Sequence, residues 1–260
     1  MFPDTLVVPL DGSELAARAL PVARAFVRQT GGRLLLMTTG WDDDVGKARD
    51  YLAEISEDHQ DVDVSTIVIT DRSAASAIQL VAAESPGRIV CMTTHGRGRM
   101  RWAMLGSVAE EVVRESSDPV MLLGRHCRTE WPNNFRRMVV CVDGTSATPA
   151  VEADAVEWAK TLGLDLHVVT VIHPLDATAS DGVLDAIVGR MEAQGLHAHK
   201  CVLRNRYPAG AIADFAESID ADLVAMSSHA RAGAARVALG SVTMGVVGMA
   251  RCPVLVTRTT

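Results

Sequence analysis

Two stretches of the chain place residue types at a spacing suited to holding an anion. Leu-Gly-Ser-Val stands at 105–108 and again at 239–242, each time closing a run that opens with a short apolar segment. The runs are IVCMTTHGRGRMRWAMLGS (89–107) and LVAMSSHARAGAARVALGS (223–241), and each reads as strand, loop and helix start. The first turn of a helix leaves backbone N–H groups without partners and carries the positive end of the helix dipole, so phosphate binds there readily. Glycines in such a loop allow close backbone approach and positive φ. Ser107 and Ser241 add hydroxyls at the same place.

Other residues in and around these stretches have two readings each. Ser107-Val108-Ala109-Glu110 fits the S-x-x-E capping box, which predicts a Ser107 cap worth about 1 kcal/mol. Ser241-Val242-Thr243-Met244 has no such box. Asp11 ends the first strand and Asp143 holds the matching place. An Asp there can bond a nucleoside or simply turn the chain into a helix. His95 and His229 share one loop position. Arg97, Arg99 and Arg101, with Arg231 and Arg236 as a sparser counterpart, either raise the local positive potential or are solvated. No His, Cys, Asp or Glu set has metal-ligand spacing, and the Walker A, G-x-S-x-G and H-E-x-x-H patterns are missing. No nucleophile–base pair emerges.

The elements that must position these residues come twice. Residues 6–13 match 139–146, 34–39 match 167–172, 88–98 match 222–232, and 118–125 match 252–258, at an offset of 132 to 134. A period that long denotes a duplicated domain rather than a solenoid. In the first half, apolar runs and turn signals predict strands at 5–10, 33–38, 64–69, 89–93 and 120–123. Helices are predicted at 14–29, 45–56, 73–83 and 107–116, and the second half repeats the order. Strand–helix alternation implies an α/β fold: two tandem doubly wound open parallel sheets of five strands each. Ligands of such sheets sit beyond the carboxyl ends of the strands, where both candidate loops fall. The divisions expected are 1–127, a polar Pro/Asn-rich linker at 128–136, and 137–260.

Composition narrows the functional class. A net charge of −7 argues against nucleic acid and anionic membranes as partners. Five scattered cysteines without a C-x-x-C pair fit a reducing cytoplasm rather than a disulfide framework. The start, MFPDTLVVPLDG, does not read as a signal peptide, and the longest uncharged run, 237–250, is short of the roughly 20 apolar residues a membrane span needs.

At these residues the sequence resembles the universal stress protein family in its tandem two-domain form. ATP-binding members of that family carry G-x-x-G, nine residues, then G-[S/T]. The first half reads Thr93-x-x-Gly96, nine residues, Gly106-Ser107, and the second Ser227-x-x-Ala230, nine residues, Gly240-Ser241. The resemblance implies a first ATP site lined by Pro9, Asp11, Thr38, Met92, Gly96, Gly106, Ser107 and Val108, and a second lined by Asp143, Val171, Met226, Gly240, Ser241 and Val242. Thr93, Ser227 and Ala230 depart from the glycine pattern, and a Cβ at a position needing positive φ would strain the loop. The resemblance further implies a stress-response regulator that binds ATP or a related adenine nucleotide, with Mg2+ as an optional companion. Binding would fall chiefly in the first domain and without efficient catalysis. The two halves would pair as a pseudo-dimer, and the chain would form a homodimer. A nucleotide-independent interaction protein with degenerate sites is the alternative, and a slow ATPase a distant third. The uncharged helix 241–250 is expected to lie deeper in an inter-domain or inter-subunit contact than its charged counterpart 107–116.

Overall fold

The computed structural model of the chain describes residues 2–40, 45–95, 105–131, 134–145, 148–176, 181–228 and 239–258. They divide into two compact units, residues 1–125 with 129–134 and residues 126–128 with 135–260.

Unit 1 runs β1 (Thr5–Pro9), α1 (Glu14–Ala17), α2 (Ala19–Thr30), β2 (Arg33–Gly40), α3 (Val45–Glu57), β3 (Asp63–Thr70), α4 (Ala74–Ala83), β4 (Arg88–Thr93), α5 (Ser107–Glu115) and β5 (Val120–Leu123). Its strands lie in the order β3-β2-β1-β4-β5 and pair in parallel, with Thr5 opposite both Arg33 and Arg88. The central strands are apolar along their whole length because helices cover both faces: Leu6, Val7, Val8, Leu34 and Leu36 are all fully buried. The chain order reverses between β1 and β4. A crevice therefore opens beyond their carboxyl ends, the switch point at which doubly wound sheets bind ligands.

The helix expected over 14–29 is two helices, α1 and α2, meeting at Arg18. Pro21 is the reason. It has no N–H to give the Ala17 carbonyl and its ring crowds that carbonyl, so the first helix stops and a new one starts two residues before the proline.

Unit 2 repeats the pattern: β6 (Arg137–Cys141), α6 (Thr148–Leu162), β7 (Asp165–Ile172), α7 (Asp181–Glu192), β8 (Ala198–Arg204), α8 (Pro208–Ser218), β9 (Leu223–Ser228), α9 (Ser241–Met249) and β10 (Val254–Arg258). The order is β10-β9-β6-β7-β8, again parallel throughout. Asp222 fastens the entry of this unit. It is 1% exposed and accepts from Arg128 Nη2 at 2.6 Å and from the Arg136 and Arg137 N–H groups at 2.8 and 3.1 Å. A buried carboxylate needs that many partners.

Within the chain α9 and α5 bury the same number of residues, and α9 leaves Val242 and Met249 exposed. Thr243, Val246 and Val247 are buried in one, and Ala109, Val112 and Val113 in the other. Its lack of charge has a closer cause. A Cβ on Gly245 would lie 2.6 Å from Ala209 Cβ, so small residues let α8 and α9 touch. No helix among the described residues is long and apolar enough to cross a membrane.

Candidate functional site

The turn after β1 begins the site. Asp11 Oδ1 accepts from the Ser13 N–H at 2.9 Å and from the Ser13 hydroxyl at 2.6 Å, while Ser13 Oγ accepts from the Ala16 N–H at 3.1 Å and caps α1. Asp11 thus folds the turn and Ser13 caps the helix. Gly12 completes the turn at φ +80°. Unit 2 copies the device: Asp143 Oδ1 accepts from the Thr145 N–H at 3.0 Å and hydroxyl at 2.7 Å, and Gly144 has φ +73°. Among the described glycines named for the site, positive φ is absent. Gly106 and Gly240 have φ −61° and −56°.

Gly106 is needed for another reason. Its N–H donates to the Thr94 carbonyl at 2.8 Å, and a Cβ in its place would meet that oxygen at 2.7 Å. Glycine lets the start of α5 lie against the end of β4. Gly106 is also the N-cap, with no side-chain cap bond, so the capping-box reading of Ser107 is wrong. The contact with Thr94 places the cap at Gly106, one residue before the cap that the local pattern indicates. Ser107 becomes the first helical residue and is exposed. The first bond of the helix runs from the Glu110 N–H to the Gly106 carbonyl at 2.9 Å, which leaves the N–H groups of 107–109 outside the intrahelical ladder.

These elements enclose a cavity of about 270 Å³. Pro9, Asp11, Thr38, Met92, Gly106, Ser107 and Val108 line it together; Gly96, the remaining residue named for the first site, lies outside the described residues. Apolar walls come from Pro9, Leu10, Met37, Met92 and Ile78, and polar ones from Thr38, Thr39, Thr93, Thr94 and His95. Ala74 and Ile78 of α4 and Ala16 of α1 were not foreseen. They carry only the mark of an apolar helix face, which does not distinguish cavity from core. Thr93 ends β4, and Asp71 and Asp220 are the only non-glycine residues at positive φ among those described. Thr93 and Ser227 are therefore unstrained where glycine was expected, and the Thr93 hydroxyl donates to the His95 carbonyl at 2.9 Å.

The residues named for a second site stand at the matching edge of unit 2. Val171 is on β7, Met226 on β9, and Asp143 follows β6; Gly240, Ser241 and Val242 open α9. Ala230, His229, Arg231 and Arg236 lie outside the described residues, as do Arg97, Arg99 and Arg101. Two substitutions separate the units. Where Ala16 and Ala109 line the cavity of unit 1, Thr148 and Thr243 stand in unit 2, both buried. Thr243 Oγ1 donates to the Ser227 carbonyl at 3.3 Å. Among the described residues no group of three or more His, Cys, Asp or Glu could hold a metal.

Comparison with known proteins agrees with this architecture. A model described as the Universal stress protein family matches residues 3–124 and 134–258. A universal stress protein of Mycobacterium tuberculosis is 27% identical over 237 residues, covering 78% of this chain and 74% of the relative. Another from the same organism is 26% identical over 191 residues, and this chain spans only 64% of its length. The crystal structure of a universal stress protein from Archaeoglobus fulgidus superposes with a TM-score of 0.79 at 19% identity, covering 99% of each chain, which shows the fold.

Proposed function

The chain belongs to the universal stress protein family, and from that premise we propose that it is a stress-response regulator whose unit 1 binds ATP or a related adenine nucleotide without efficient turnover. The observation that carries this reading is the meeting of the β1 turn, the β4 end and the α5 start around one cavity. Met37, Met92 and Ile78 offer apolar contact for a base, Asp11 a carboxylate for ribose hydroxyls, and the N–H groups of 107–109 with the Ser107 hydroxyl donors for phosphate.

Binding rather than turnover is favoured by the state of Asp11. Hydrolysis needs a base aligned on an attacking water, and the one carboxylate lining the cavity among the described residues, Asp11, is taken by the ribose on this reading. Restriction to unit 1 is favoured by the threonines at 148 and 243, which add bulk where unit 1 has alanine. The test is titration calorimetry of the full chain with ATP, together with the melting temperature. Saturable binding and a rise in melting temperature, both lost in Asp11→Ala, are expected. An unmoved melting temperature and no heat of binding would refute the reading.

A further inference from the structure

Two of the five cysteines meet beside the first residues of unit 2. Cys127 and Cys252 are thiols, 3% and 2% exposed. The Arg128 N–H donates to the Arg251 carbonyl at 2.9 Å. The peptide groups 127–128 and 251–252 therefore lie against each other, and each carries the Cα atom of one cysteine. The thiols are close enough to act on one another: burial pushes the Cys252 thiol up most, and Cys127 is the next cause. We propose that Cys127 and Cys252 are a redox-sensitive pair, closed to a disulfide by a peroxide, which fastens the first residues of unit 2 to the turn before its last strand.

The fold makes this pairing selective. A disulfide needs Cα atoms no more than about 7 Å apart, and the bond from Arg128 to Arg251 holds the two segments at about that spacing. Cys141 and Cys201 fail the condition. They stand on either side of Val169, on β6 and β8, so two strand spacings of about 4.8 Å separate them. Cys91 is on β4, in unit 1. Cys127 is also the one buried residue in a surface segment, between exposed Arg125 and His126 on one side and exposed Thr129 and Glu130 on the other. A local lift of that segment uncovers both sulfurs without unfolding either unit.

The oxidant is hydrogen peroxide. One thiolate attacks a peroxide oxygen and the O–O bond breaks, leaving a sulfenic acid and a hydroxide. The second thiolate displaces hydroxide from that sulfur and the S–S bond forms. The two sulfurs lose two electrons, the peroxide gains them, and both thiol protons leave in two water molecules. Burial keeps Cys252 protonated while the segment is seated, so the reaction begins when the segment lifts. Arg128 pulls the other way and favours the Cys252 thiolate. The closed bridge makes a covalent loop from 127 to 252, which holds most of unit 2. Long loops are the case in which a bridge constrains the unfolded chain most.

The experiment treats the full chain with hydrogen peroxide, alkylates the remaining thiols and maps the peptides without reductant, alongside thermal unfolding. A cross-link between Cys127 and Cys252 is expected as the main disulfide. With it the unfolding of unit 2 should rise by about 5–15 °C, and dithiothreitol should reverse the rise. Residue-resolved hydrogen exchange assigns the gain to unit 2. Cys127→Ala and Cys252→Ala should each abolish it. The peptide map of the wild type decides the matter on its own if a variant fails to fold. Absence of the cross-link from the peroxide-treated chain would overturn the proposal. So would a cross-link that forms only after denaturation, or one that leaves the unfolding temperature where it was.

Discussion

The two Gly-Ser helix starts look alike letter for letter, yet their glycines do different work. A methyl group on Gly106 must push against the backbone carbonyl of Thr94, 2.7 Å away, whereas one on Gly240 finds nothing closer than Thr243 Oγ1 at 4.0 Å. Gly106→Ala should therefore cost about 1–3 kcal/mol in denaturant unfolding, the range for a forced overpacking, and should weaken ATP binding as well. Gly240→Ala should cost about 1 kcal/mol or less, the difference between the two residues as N-caps. Equal losses would show that the Thr94 contact is not what fixes α5. The contrast also shows where residue-level reading stops. Asp11, Ser107 and Gly106 could be named because their types and spacing recur at 143, 241 and 240. The Ser107 cap was misread because a capping box is a local pattern, while the contact that sets the cap comes from Thr94, just past the end of β4. His95 was visible as a loop histidine, but no sequence pattern indicates that its Nε2 lacks a partner.

Strands and helices were legible because burial writes itself into them. Runs such as Leu6–Val8 and Leu34–Met37 are apolar on both faces, as strands covered on two sides must be. The break between α1 and α2 was equally present in the sequence, in Pro21, but the amphipathic pattern continues through it and hid the interruption. The uncharged α9 is a related case, since small residues at a helix contact lower its charge as burial of large ones would. Gly245 is small so that α8 can approach, and Gly248 has no heavy atom within 4 Å of its Cβ position. Gly245→Ala should destabilise unit 2 by about 1–3 kcal/mol, while Gly248→Ala should stabilise it by about 0.5–1 kcal/mol through helix propensity alone. Paired chemical denaturation of the two variants measures this, and a loss in both would mean that α9 packs on its other side too. Between β7 and β8 lies a further element-scale signal. His167 and His199 stand opposite each other with ring centroids 5.0 Å apart, and Phe215 of α8 meets His167 edge-on at 6.0 Å. Burial first, then the neighbouring His199, lower the His167 pKa below 6.5; Asp165 pulls it upward, and Arg137 adds a smaller lowering effect. The unfolded chain then binds the proton more readily than the folded one. Stability is complete above about pH 6.5 and falls as the pH drops below it. Thermal unfolding followed between pH 7.5 and 5.5 should show this loss, and His167→Gln should flatten it; an unchanged slope in the variant would place the proton elsewhere.

At the scale of the whole chain, duplication and divergence have to be weighed together. Both units keep the parallel five-strand order and the Asp-Gly turn after the first strand, which is why the tandem fold could be recognised from spacing. What spacing could not reveal is which alanines line a cavity. Ala16 and Ala109 look like ordinary helix residues until the fold brings them to the site, and only then do Thr148 and Thr243 in unit 2 become meaningful. Each exchange adds a hydroxyl and a buried oxygen. Thr243 bonds its own to Ser227, and Thr148 Oγ1 is buried without a partner among the described residues. Two equivalent sites would bind two nucleotides, and Asp11→Ala and Asp143→Ala would each remove one. With alanine replaced by threonine at two lining positions, titration of the full chain should instead give close to one nucleotide per chain. Asp11→Ala should abolish that heat and Asp143→Ala should leave it almost unchanged. Ligand at about 100 times its Kd adds about 2.7 kcal/mol to whatever it binds. Saturating ATP should therefore raise the unfolding transition of unit 1 and leave that of unit 2 in place, which residue-resolved hydrogen exchange can separate. A stoichiometry of two, or equal protection of α5 and α9, would show that the threonines do not close the second site and that the division of labour between the units lies elsewhere.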